Sequence, residues 1–164
     1  MTKKLLLVRH AKSGWEDFSQ PDHNRPLDKR GLADAPMMGQ RLLRKQIVPD
    51  LIVSSTAYRA EATAKIIATE LKLLDKVTTN SNIYEAGIGN LMDVILGLED
   101  QFDQVMLVGH NPGLTLLVNY LQDDKYISNM QTCATALLSF EVESWADVEA
   151  GKLLDYDYPK NQQR

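Results

Sequence analysis

The chain has 164 residues, 44% of them hydrophobic, and this size and apolar content predict one domain, residues 1–164, with a core of its own. A net charge of −4 weighs against a nucleic-acid or anionic-membrane surface, and apolar runs of four or five residues are too short for a membrane span or a secretory leader, so a cytoplasmic protein is expected. One cysteine, Cys133, excludes an internal disulfide and, with three histidines, shows no metal-ligand spacing, so neither metal nor cofactor is expected.

Leu5-Leu6-Leu7-Val8 shows no polar alternation and reads, over residues 4–8, as a strand buried on both faces in a parallel sheet. It runs into Arg9-His10 and then a polar loop over 11–27, a length uncommon in compact domains unless the loop has a function. A helical stripe follows, with Leu32, Ala35, Gly39, Leu42 and Leu43, and Pro36 predicts that the regular helix starts or bends there. Leu51-Ile52-Val53 reads as a second buried strand. Ser54, Ser55 and Thr56 then offer N-caps for a helix whose apolar side is Ala60, Ala64, Ile67, Leu71 and Leu74.

Residues 77–83 are a weaker strand, and Glu85-Ala86-Gly87 turns into a short helix carrying Leu91, Val94, Ile95 and Leu98. Gln104 to Val108 is the third strong strand. It leads through Gly109-His110-Asn111-Pro112-Gly113 to a helix with Leu114, Leu117, Val118 and Leu121, for which Asn111 suits the N-cap and Pro112 the first position. Ala134 to Val142 and Lys152 to Tyr158 read as an antiparallel pair at a sheet edge around a turn at Gly151. The pattern predicts a three-layer α/β/α sandwich with a mixed, mainly parallel sheet.

Three buried strands therefore end in Arg9-His10, in Ser54-Ser55 and in His110. In open α/β sheets chemistry gathers beyond the carboxyl ends of such strands. Arg59 falls in the first turn of its helix, where a cation opposes the macrodipole at a cost of a few tenths to ~1 kcal/mol; an anion held between the helix start and the guanidinium accounts for that position. His110 precedes another helix N-terminus, a ready anion site. Two arginines, whose planar forks each hold two oxygens, and two histidines at one edge make a phosphoryl pocket. A neutral imidazole attacks phosphorus without adding negative charge, so His10 is expected to carry a covalent phosphoryl group. Arg9, Arg59 and His110 are expected to hold its equatorial oxygens.

Leu7-Val8-Arg9-His10-Ala11 resembles the Arg-His-Gly signature of the histidine phosphatase superfamily, with Ala11 in place of glycine. The resemblance continues through Asp22-His23-Asn24-Arg25-Pro26-Leu27 with Arg30-Gly31, Ser54-Ser55-Thr56-Ala57-Tyr58-Arg59-Ala60 with Thr63-Ala64, and Val108-Gly109-His110-Asn111-Pro112-Gly113. These blocks lie within residues 4–118 in the family's order, and the tail ending Tyr158-Pro159-Lys160 resembles the small SixA-like phosphohistidine phosphatases. The resemblance implies a phosphoglycerate-mutase-like fold and His10 as the phosphorylated nucleophile, with Arg9, Arg59 and His110 completing the pocket. Glu85 lies where many members place the acid that protonates the leaving group. An alkoxide needs that acid, whereas imidazole, with a free pKa of roughly 6.5, leaves readily once protonated.

The expected activity is a metal-independent phosphatase acting on protein phosphohistidine, because little chain is left to build a lid over the pocket. A small-molecule phosphomonoesterase or mutase, and a phosphate-binding adaptor without turnover, remain as alternatives. The expected partner is a phosphorylated protein or a small phosphate ester, with no nucleic acid and no membrane; the oligomeric state is not legible. Among the remaining residues, His23 reads as a surface histidine, Arg25 as a tie to Asp22, and Lys12 and Ser13 as loop or substrate-facing positions. Trp15 and Trp145 read as packing anchors, residues 141–149 as a solvated face, and Cys133 as a small core residue.

Overall fold

The three strong apolar runs become the middle of one six-stranded sheet in the computed structural model, which describes residues 2–14 and 19–161. Trp15 lies outside the described residues. The strands are β1 (Lys3–Arg9), β2 (Leu51–Ser54), β3 (Val77–Thr79), β4 (Gln104–Gly109), β5 (Thr135–Phe140) and β6 (Lys152–Asp157), in the order β3-β2-β4-β1-β5-β6. β3, β2, β4 and β1 are parallel, while β5 runs antiparallel to both β1 and β6. The sheet is mixed and mainly parallel, as expected.

Alternate residues of the same strand feed different cores. Leu6, Val8, Ile52, Met106 and Val108 face α1 (Lys29–Arg44) and α2 (Tyr58–Leu71). Leu5, Leu7, Val53, Val105 and Leu107 pack with α3 (Ile88–Leu96) and α4 (Gly113–Leu121). Burial on both faces is what an apolar run without alternation requires, and it gives the three-layer α/β/α sandwich. No helix among the described residues is long and apolar enough to cross a membrane.

Several local readings shift. Pro36 lies inside α1, which starts earlier at Lys29 because the Asp28 carboxylate caps it through Gly31 N–H. Leu32 and Leu43 leave the expected stripe and are exposed, and Met38 joins Ala35, Gly39 and Leu42 in the buried face. α2 ends at Leu71, where Lys72 turns left-handed at φ 60°, so Leu74 lies beyond it and is exposed. Only residues 77–79 of the weak strand pair; 81–83 form a 3-10 turn that buries Ile83.

Leu98 falls past the end of α3 but packs against the same core. The segment 141–151 is longer than a turn: it carries a 3-10 turn at Trp145–Asp147 in which Trp145 is fully buried and donates to the Phe102 carbonyl. Trp145 is thus the anchor expected, set within a stretch that also exposes charge.

Candidate active site

β1, β2 and β4 end together. Arg9 pairs with Gly109 and Ser54 with Val108, so the residues that follow each strand meet at one edge. His10 N–H donates to the Gly109 carbonyl, Ser55 N–H to the Val108 carbonyl, and Arg9 N–H to the Ala134 carbonyl. Ala11 N–H donates to Thr63 Oγ1, which donates in turn to the Arg59 carbonyl, tying the end of β1 to the first turn of α2. The expected convergence of Arg9, His10, Arg59 and His110 is present: His10, Arg59 and His110 are only 7%, 6% and 9% exposed, and the two imidazole centroids lie 5.1 Å apart.

Each imidazole is held by one nitrogen. His10 Nδ1 lies 2.7 Å from the Ala11 carbonyl. A carbonyl only accepts, so Nδ1 carries the proton and, in a neutral ring, Nε2 keeps its lone pair. Burial pushes the His10 pKa down to about 3, and the charges of Arg59 and Arg9, with the electrostatic influence of His110, act in the same direction against the Ala11 hydrogen bond. His110 is pushed down to about 4 by burial and then by Arg59, against the attraction of Asp22. Both rings are neutral at physiological pH. His110 bonds through Nε2 to Ser55 Oγ at 2.7 Å.

The arginines keep part of their bonding capacity free. Arg9 Nη1 donates to the Met130 carbonyl at 2.9 Å; Arg59 Nη1 and Nη2 donate to the backbone carbonyl and carboxylate of Asp22 at 2.8 and 3.1 Å. Arg9 Nε, Arg59 Nε and His110 Nδ1 are buried with no hydrogen-bond partner among the described residues. Orphaned buried donors on two guanidiniums are costly unless an acceptor meets them. An anion with several oxygens is the ligand that fits. Among the described residues no group of three or more His, Cys, Asp or Glu side chains is arranged to hold a metal ion.

Asp22 is a member of the site that the sequence did not single out. Besides Arg59, its carboxylate accepts from Tyr84 Oη at 2.6 Å and Arg25 Nε at 3.0 Å. The Tyr84 bond, followed by the Arg59 charge, pulls the Asp22 pKa down to about 2, although burial opposes it. The same pairing adds to burial in raising the Tyr84 phenol to about 12. Tyr84 stands edge-on to His110, with centroids 5.6 Å apart, and to His23, 4.9 Å apart.

His23 is therefore part of the cluster and not a plain surface histidine; its Nε2 lies 2.9 Å from Thr56 Oγ1. Arg59 pairs with Asp22, while Glu61 pairs with Lys65 and Glu70 bonds Gln40. Ser54, Ser55 and Thr56 do not cap α2, whose N-cap is Ala57: Ser54 ends β2, Ser55 bonds His110 and Thr56 bonds His23. Asn111 sits one residue before the N-cap of α4, which is Pro112, but its Oδ1 still accepts from the Thr115 N–H in the first turn, and from the Thr115 hydroxyl.

Glu85 is exposed, at φ 53°, next in sequence to Tyr84. Lys12 is exposed, and Ser13 bridges to Leu27. Cys133 is buried behind His10, its N–H shared between the Arg9 and His10 carbonyls; burial pushes its thiol up to about 12, which makes it an inert core residue.

Residues 5–103 match the family model of the histidine phosphatase superfamily (branch 1). The match stops short of His110, which enters the site through β4. The chain is 29% identical to an uncharacterized chloroplastic protein of Arabidopsis thaliana over 159 residues, 92% of this chain and 72% of the relative. It is 38% identical to a 2,3-bisphosphoglycerate-dependent phosphoglycerate mutase of Bifidobacterium longum, over 68 residues that make up 40% of this chain and 28% of that one. The fold is similar to that of the protein histidine phosphatase SixA complexed with tungstate, with a TM-score of 0.81, 20% identity, and 95% of this chain and 97% of that one covered.

Proposed function

Because the chain belongs to the histidine phosphatase superfamily, we propose that it is a metal-independent phosphatase working through a phosphoryl group on His10 Nε2, with protein phosphohistidine as its preferred substrate. The supporting observation is the bond from His10 Nδ1 to the Ala11 carbonyl, which leaves the lone pair on Nε2 of a neutral buried ring. Nε2 attacks phosphorus as the bond to the leaving nitrogen breaks, and the departing imidazole takes a proton from solvent. Water then attacks phosphorus, the bond to Nε2 breaks, and orthophosphate leaves a neutral His10. Arg9, Arg59 and His110 neutralise or hydrogen-bond the oxygens on which charge builds, the role that metal ions take in other phosphoryl transfers.

Radiolabelled phosphoprotein substrate tests this directly. An acid-labile label should collect on His10 in a quenched reaction, and His10→Ala should abolish it and lower turnover by roughly 10³-fold or more, as loss of a covalent nucleophile does elsewhere. Undiminished turnover in His10→Ala would overturn the mechanism. A protein that binds phosphate but never acquires label would be an adaptor.

The partial match to a phosphoglycerate mutase supports a second reading, phosphate-ester hydrolysis or transfer with Glu85 as the proton donor. On that reading Glu85→Gln slows ester hydrolysis strongly and leaves phosphoramidate hydrolysis nearly intact. Equal rates for Glu85→Gln and the parent on both substrates would remove Glu85 from the chemistry.

A further inference from the structure

We propose that Ser55 is a positioning residue of this site: its hydroxyl donates to His110 Nε2 and so fixes the tautomer in which His110 offers Nδ1–H to a phosphoryl oxygen. The inference rests on the phosphatase reading above. Its physical basis is proton placement in a closed space.

Ser55 is fully buried at the end of β2, and its N–H is fastened to the Val108 carbonyl, two residues before His110 on the neighbouring strand. Its Oγ accepts the Ala57 N–H at 3.1 Å and lies 2.7 Å from His110 Nε2. The hydroxyl proton needs an acceptor, and His110 Nε2 is the one within reach among the described residues. The opposite arrangement, with Nε2–H donating to Oγ, gives that oxygen two N–H groups and leaves its own buried proton with none. It also turns the lone pair of His110 Nδ1 toward anionic oxygens.

The buried, partnerless Nδ1 is thereby explained as a donor, matching the free Nε of Arg9 and of Arg59. The pocket then contains two neutral histidines locked in opposite senses. His10 is held through Nδ1 by an acceptor and keeps a lone pair on Nε2; His110 is held through Nε2 by a donor and keeps a proton on Nδ1. The groups acting on His110 are Arg59, Asp22, Arg9 and His23, with the rings of His10 and Tyr84 beside it. The cations oppose a second proton on the ring, which keeps Nε2 available to Ser55.

Heteronuclear nitrogen NMR of the imidazoles in the full-length protein reads the tautomer without any turnover. The expected spectrum has His110 protonated on Nδ1 and bare on Nε2, and Ser55→Ala shifts it toward a mixture. In steady-state assays with a phosphohistidine peptide, Ser55→Ala should lower kcat about 10- to 100-fold, less than the ~10²–10³ typical for outright loss of an oxyanion donor, and Ser55→Thr should recover most of it. Ser55→Ala combined with His110→Gln should be no slower than His110→Gln alone, because both changes act on one hydrogen bond.

A parent protein with His110 protonated on Nε2, or strictly multiplicative losses in the double variant, overturns the inference. If Ser55→Ala does not fold, the spectrum of the parent alone decides. Failure of the parent to acquire label on His10 would overturn the phosphatase reading and leave the tautomer result standing, so the two failures are distinct.

Discussion

His10 and His110 are neutral because burial among cations strips them of their protons, and that neutrality makes the fold sensitive to acid. In the unfolded chain each ring takes up a proton near pH ~6.5. In the folded protein they do so at about 3 and about 4. As pH falls from about 6.5 toward about 4 the unfolded chain therefore binds two protons that the native state does not, and stability drops by about 1.4 kcal/mol per pH unit for each ring. Urea midpoints should be highest above pH ~6.5 and fall steeply toward pH ~5, with His10→Asn and His110→Gln each flattening the slope. A flat profile for the parent would mean that the rings are charged in the native protein. Asp22, held down to about 2, adds its own loss below the ordinary carboxylate range. Arg9, His10, Arg59 and His110 were legible because each follows or caps a recognisable apolar run. Asp22 and Tyr84 were not: their parts in the site depend on contacts spanning 37 and 62 residues, which no local pattern announces.

The loop over 11–27 has a mechanical reason for its length. It leaves His10, and its described part returns to place Asp22 against Arg59, Tyr84 and Arg25 before Asp28 starts α1. Asp22→Ala should release the guanidinium of Arg59, raising KM for a phosphorylated substrate roughly tenfold, equivalent to ~1.4 kcal/mol, with a smaller effect on kcat; Tyr84→Phe, which leaves the ion pair, should do less. Steady-state kinetics on the three proteins would show it, and equal KM values would remove Asp22 from the positioning of Arg59. At the other end of the loop, a Cβ on Gly31 would sit 2.2 Å from the Lys12 carbonyl oxygen. Gly31→Ala must move backbone two residues from His10, at a cost of ~1–3 kcal/mol readable in a thermal melt. Element boundaries were misread wherever side-chain chemistry went elsewhere. Ser55 and Thr56, which look like caps in isolation, bond His110 and His23 instead, and a proline that looks like a break lies inside α1, which Asp28 starts upstream.

The antiparallel pair at the far edge of the sheet is bound into the same object as β1, β2 and β4. β5 lies against β1, and the segment just before it supplies the Ala134 carbonyl to Arg9 and the Cys133 N–H to the Arg9 and His10 carbonyls. β6 closes the edge and is fastened to α1: Arg41, itself buried, bonds both carboxylate oxygens of the buried Asp157 and the Tyr158 and Pro159 carbonyls, and Lys45 reaches Asp155 and Asp157. The strand segments and the edge pair could be read from apolar runs. The insertion of β4 between β1 and β2, and the ionic clamp on β6, could not, because crossover order and charge pairing are tertiary facts. Removing one partner of a buried ion pair leaves the other desolvated, so Asp157→Ala should cost about 3–5 kcal/mol. Because β5 separates β6 from β1 in the sheet, the loss should appear first as a lower denaturation midpoint. The kcat of the molecules still folded at low temperature should stay close to that of the parent. Parallel urea titrations followed by intrinsic fluorescence and by residual phosphatase activity would separate the two effects: coincident, shifted curves are expected, whereas loss of activity well before unfolding would mean that the edge pair positions His10 directly.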